Sequence, residues 1–142
     1  MIRIRTIREL EKWMKANCYN DNYAIGNKSV YEGFGLYRQG DSYIWYYTER
    51  GQRQNLNIFN TEEEAVEFAF KHISSDKFAN AHLVGLIENE LVLNELICEL
   101  EKRKIAYSKD QIPYKQNSLY TRVFVFGCDI NKVTDLQEKY QK

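Results

Sequence analysis

Apolar side chains at Ile7, Leu10, Trp13 and Met14 recur at helical spacing, which predicts an amphipathic helix ending near Asn17. Thr6-x-x-Glu9 is a capping box at its start, where each side chain can satisfy a backbone N–H of the first turn. From 33 to 59 the period drops to two, and the chain reads as a three-stranded meander. Gln39-Gly40-Asp41 and Glu49-Arg50-Gly51 mark its turns. Tyr43, Trp45 and Tyr47 share one face of the middle strand, with Ile44 and Tyr46 on the other, and Leu56 and Ile58 alternate in the third. Thr61-Glu62-Glu63-Glu64 opens a second helix, with a second capping box and acidic groups where the helix dipole favours them. Its inward stripe is Ala65, Phe68, Ala69, His72 and Ile73. Ser74 to Asn80 is a polar break.

Beyond that break, Ala81 to Ile87 is an apolar run of strand length. Asn89 can cap a third helix with the stripe Leu93, Leu96, Ile97 and Leu100. A strand starts at Ile105 to Tyr107, Lys109 to Ser118 reads as a polar loop containing Pro113, and Val123-Phe124-Val125-Phe126 has the two-sided apolarity of a central strand. Gly127 ends it, and Asp129 caps a last helix whose inward residues are Ile130, Val133, Leu136 and Tyr140. The expected fold is α+β: an α-β-β-β-α lobe over residues 1–75, packed on a β-α-β-β-α lobe over 76–142. At ~65 residues each, neither lobe buries enough surface to be very stable alone, so one cooperative unit is expected.

Composition narrows the function classes. Lys+Arg and Asp+Glu are both 20, and division between Lys71 and His72 leaves ten of each sign on either side. Such an even balance speaks against non-specific coating of nucleic acid. The basic start, Met1-Ile2-Arg3-Ile4-Arg5, has no apolar run of signal-peptide length after it, and nothing approaches the ~20 apolar residues of a membrane span. Cys18, Cys98 and Cys128 are odd in number and far apart, with no zinc spacing, which fits a reducing, cytoplasmic setting.

No catalytic constellation stands out. His72 and His82 lack metal-binding spacing and read as structural. Cys128 is the best candidate nucleophile, in a strand-to-helix turn, and with Asp129 and His82 it defines a minor Cys/His enzyme alternative. Gly33-x-Gly35 precedes a strand, so it is no phosphate loop and fits a bulge better. The Tyr43/Trp45/Tyr47 face could stack nucleobases, as in a small nucleic-acid module, or bury itself against Trp13 and Phe68; burial is the preferred reading. Tyr46, on the opposite face, is freer for function. On the third helix Glu95 and Glu99, four residues apart, repel one another, with Arg103 offsetting part of this.

Two stretches together carry a resemblance. One is Trp45-Tyr46-Tyr47-Thr48-Glu49-Arg50-Gly51 with Phe59 and the Thr61-Glu62-Glu63-Glu64-Ala65 helix start. The other is His82-Leu83-Val84-Gly85 followed by Tyr120-x-Arg122-Val123-Phe124-Val125-Phe126-Gly127-x-Asp129-Ile130. Both resemble small bacterial immunity proteins that neutralise toxins of polymorphic or contact-dependent growth inhibition systems. The resemblance runs from Thr6 to Tyr140 and implies a cytoplasmic inhibitor that is not an enzyme and has no cofactor or metal. Its partner would be a cognate toxin's C-terminal domain, in many such systems a nuclease, whose active site or substrate surface it would block. The tyrosine-rich composition suits such a role, since Tyr and Trp give large contact area at low entropy cost. The expected toxin-binding surface is Glu88, Glu95 and Glu99 near the third helix with Tyr107 from the next strand, because an unneutralised Glu95/Glu99 pair would gain from a basic partner. Tyr46 in the first lobe is the alternative surface.

Overall fold

In a computed structural model of the protein, residues 4–26 and 28–141 are described; Met1, Ile2 and Arg3 of the basic start lie outside them. The chain is mixed α+β and divides into two compact units, Met1–Ala79 and Asn80–Lys142, with the division inside the polar Ser74–Asn80 break.

The first unit begins with α1 (Ile7–Ala16), capped as expected: the Thr6 side chain accepts from the Glu9 N–H, and the Glu9 carboxylate reaches back to the Thr6 N–H. Four strands follow, β1 (Tyr23–Ile25), β2 (Gly33–Gln39), β3 (Ser42–Glu49) and β4 (Gln52–Phe59), paired in that order. The meander β2-β3-β4 is antiparallel, and β1 is an additional strand that joins β2 in parallel. Trp45 pairs with Asn57 but Tyr46 with Asn55, so Leu56 bulges out and is exposed, as is Ile58, instead of alternating inward. α2 (Glu62–Ser75) covers the Trp45 face and buries Ala65, Val66, Ala69 and Ile73. The second capping box forms only in part: Thr61 accepts from the Glu64 N–H, but the Glu64 carboxylate takes the Thr61 hydroxyl. Glu62 accepts the Ile7 N–H at 2.9 Å, so a residue of one helix start satisfies an orphan donor of the other.

The second unit has β5 (Ala81–Ile87), α3 (Glu90–Lys102), β6 (Tyr107–Tyr114) and β7 (Ser118–Phe126). A 3-10 helix (Gly127–Lys132) and α4 (Thr134–Tyr140) complete it. The sheet is antiparallel in the order β5-β7-β6, with Val123 and Val125 on its central strand fully buried. The expected Lys109–Ser118 loop is strand as far as Tyr114, and its Pro113 is tolerated because β6 is an edge strand. The single last helix is instead two short ones, and Asp129 makes no capping bond but pairs with Lys132 at 3.2 Å. Gly85 permits close packing here, since a Cβ on it would lie 2.7 Å from a methyl of the buried Leu96.

Candidate functional site

Two of the expected binding carboxylates turn out to be fasteners inside the second unit. Glu95 accepts hydrogen bonds from the Tyr140 hydroxyl and, at 2.9 Å, from the Lys139 ammonium. The Tyr140 hydroxyl, then Lys139, hold its carboxyl below the ordinary range. Glu99 accepts from Arg103 Nε at 3.1 Å. The same guanidinium forks onto Asp135 at 3.0 and 2.7 Å and reaches the Lys132 carbonyl at 3.2 Å. Arg103 depresses the Asp135 carboxyl to about 2, chiefly through these hydrogen bonds. Glu95 and Glu99 are therefore neutralised, because α4 brings a cation and a phenol to one while the Arg103 fork serves the other. The repulsion expected between them does not describe this helix.

Tyr107 is half-buried against the core of this unit, opposite Val125. Glu88 stands apart, exposed, just after β5. It lines a groove of about 650 Å³ with Glu90 and Leu93 of α3, Lys109, Asp110 and Gln111 of β6, and Leu119 and Thr121 of β7. Strand register explains the groove. Lys109 and Gln111 pair with Val123 and Thr121, so with Leu119 they continue the sheet face that buries Val123 and Val125. The start of α3 forms the opposite wall. Asn89 caps that helix by accepting from the Leu91 and Val92 N–H groups, leaving Glu88 and Glu90 to flank the cap.

Among the described residues, neither Glu88 nor Glu90 has a hydrogen-bond or ion-pair partner, nor does Lys109. Asp110, by contrast, is taken by Arg122 in a bidentate pair at 2.8 and 2.6 Å, which lowers its carboxyl pKa. Large apolar side chains stand open around the carboxylates: Leu119 is 59% exposed, and Leu91, beside Glu90, is 80% exposed. Two unpaired carboxylates and one unpaired ammonium, Lys109, surround Leu119 in this groove, and Leu91 follows Glu90 along α3, so the groove's rim is net acidic and partly apolar. Sequence reasoning named Glu88 but missed Glu90 and Leu119. The signal for Leu119 was present in Leu119-x-Thr121-x-Val123-x-Val125, an every-second-residue pattern that begins immediately after the Lys109–Ser118 stretch read as loop.

In the first unit, Tyr46 is only 1% exposed rather than free. Its ring lies across β2 at Gly35, where a Cβ would come within 2.3 Å of it, so this glycine serves close approach rather than a bulge. Arg53 covers the ring at 4.0 Å from its centroid, and Tyr37 meets it edge-on. Burial raises the Tyr46 phenol above its ordinary pKa, with Arg53 pulling the other way. The Tyr43/Trp45/Tyr47 face is core: Trp45 stacks on Phe34 and meets Phe68 edge-on. Trp13 packs elsewhere, against Tyr19 and Phe70. His72 lies within this aromatic cluster, its Nδ1 3.2 Å from the Tyr23 hydroxyl, which donates to Asp76.

Cys128 is disulfide-bonded, so its sulfur is not free to attack a substrate. The disulfide also removes the cysteine argument for a reducing compartment. Cys98, exposed on α3, is the free thiol. Among the described residues no helix is long and apolar enough to cross a membrane. No protein-family description, no curated protein and no solved structure matches this chain.

Proposed function

We propose that the chain is an immunity-type inhibitor that binds a toxin domain through the acidic-apolar rim of its second unit and performs no chemistry itself. The observation that carries this reading is the pairing of two unpartnered carboxylates, Glu88 and Glu90, with the exposed Leu91 and Leu119. Exposed carboxylates alone are an ordinary solvated surface, and single exposed leucines are common. Glu88, Glu90 and Leu119 line one groove, where the two carboxylates outnumber the unpaired Lys109, and Leu91 follows Glu90 along α3. Together they offer what a basic, partly apolar partner surface requires: apolar area to bury and charge to complement. A nuclease domain, with a cleft built to hold phosphates, presents such a surface. The sequence resemblance points to the same class of partner.

The reading sets this action in the cytoplasm, where the disulfide at Cys128 would face a reducing thiol pool. The direct experiment co-expresses the chain with the C-terminal domain of the protein encoded by the adjacent gene, the position in which the reading expects a toxin, and follows growth. Protection accompanied by a purified complex of the two is the expected outcome. Continued killing at full expression of both, with no complex formed, would rule the reading out.

A further inference from the structure

The first unit holds a second, differently charged cavity of about 570 Å³, formed where α1, β2, β3 and β4 meet. Its wall includes four cations, Arg8, Lys28, Arg38 and Arg53, against two carboxylates, Glu11 and Glu62, a surplus of two positive charges. Glu62 is already engaged, accepting the Ile7 N–H. Arg38 spends its Nε on the Gly40 carbonyl. Arg8, Lys28 and Arg53 have no hydrogen-bond or ion-pair partner among the described residues. Arg53 is held instead by aromatic faces, 4.6 Å from the Tyr37 ring centroid and 4.0 Å from that of Tyr46. Stacking of this kind fixes a guanidinium plane while leaving its N–H donors unused, so little side-chain freedom remains to be lost when they bind.

A second observation points to a ligand. The Tyr46 side chain is almost wholly buried and lines this cavity, yet its hydroxyl has no hydrogen-bond partner among the described residues. Among the described residues no side-chain oxygen or nitrogen is both sealed from solvent and unpartnered, so that hydroxyl opens onto the cavity. A buried side chain that ends in an unused donor, beside an immobilised and unpaired guanidinium, is the arrangement an oxyanion satisfies. The cavity volume falls within the range of small-molecule sites.

We propose that this cavity binds a phosphate dianion, free or as the terminal group of a small phosphomonoester, on the Arg53 guanidinium and the Tyr46 hydroxyl, with Arg8 and Lys28 supplying the surrounding positive charge. A dianion matches the surplus of two charges where a carboxylate would meet half of it. The site lies in the first unit and does not depend on the toxin-binding reading.

The test titrates the full chain with inorganic phosphate at constant ionic strength, above the second phosphate pKa, following Arg53 Nε–H and tyrosine ring resonances by NMR. Saturable shifts are expected, with acetate binding at least about tenfold more weakly because it carries one charge fewer. Arg53→Gln should weaken phosphate binding about tenfold or more, and Tyr46→Phe should weaken it severalfold while keeping the ring packing. Should Arg53→Gln fail to fold, Arg8→Gln, on an exposed helix position, must still lower the affinity. Absence of saturable binding, acetate binding as tightly as phosphate, or an affinity unchanged in the folded variants would each overturn the proposal.

Discussion

Glu95 and Glu99 show how one side chain is read differently alone and in place. Along the helix they are like charges four apart; in the fold they face Tyr140, Lys139 and Arg103. Arg103, four residues after Glu99, is visible in local spacing, but Lys139, Tyr140 and the Asp135 that shares the guanidinium come from later in the chain. Replacing Glu95 by Lys should therefore lower the melting temperature, since it removes two acceptor contacts and places a cation beside Lys139. Tyr140→Phe should lower it too, and the double variant should fall short of the sum in a double-mutant cycle. The Arg103–Asp135 fork gives a pH dependence. Asp135 has a lower pKa folded, about 2, than in an unfolded chain, about 4, so its stabilisation is complete above the unfolded value. Stability from this pair is lost as pH falls through that window, and an NMR titration of the Asp135 carboxyl should show the depressed midpoint. Gly85 carries a packing expectation: Gly85→Ala forces a methyl toward the fully buried Leu96 and should destabilise by about 1–3 kcal/mol in urea unfolding.

Local signals fixed the elements best where chemistry is local. Thr6 and Asn89 cap the helices that follow them, and the turns at Gly40 and Gly51 close the hairpins expected there. Asn89→Ala should cost about 0.5–2 kcal/mol of stability, measured by denaturant unfolding, because two first-turn N–H groups lose their acceptor. What was not legible is equally physical. β1 has three residues, too few to show a period, and the connection to its parallel partner, residues 26–32, is shorter than the roughly dozen residues a parallel crossover usually needs. β6 is an edge strand with mostly exposed side chains, so it lacks the apolar alternation that marks a half-buried strand, and its Pro113 reads as a loop. The end of the chain switches from 3-10 to α-helix at Val133, a change of hydrogen-bond step that a periodic stripe does not report. For the binding rim, Glu88 was legible as an acidic residue before a helix. Glu90 joins it through the chain itself, just past the Asn89 cap, whereas Leu119 joins only through the sheet register.

At the scale of the whole molecule, the two units offer surfaces of opposite character: an acidic-apolar rim in the second and a cationic cavity in the first. We place protein recognition at the rim because, among the described residues, its carboxylates have no hydrogen-bond or ion-pair partner, unlike Glu95 and Glu99, and Glu90 serves its helix only as an acidic group in the first turn. Exposed pairs contribute roughly 0–1 kcal/mol, but charges desolvated across an interface reach about 1.5–7, so the rim can matter greatly to affinity and little to folding. The decisive measurement is a calorimetric titration of the toxin domain identified by co-expression with the native chain and with the Glu88→Lys/Glu90→Lys double variant, paired with a thermal melt of each. The expected result is binding weakened by more than about tenfold, a loss exceeding roughly 1.4 kcal/mol, with the melting temperature lowered only slightly, by the lost helix-dipole interaction at Glu90. An affinity equal to that of the native chain would contradict assignment of the toxin-binding surface to this rim.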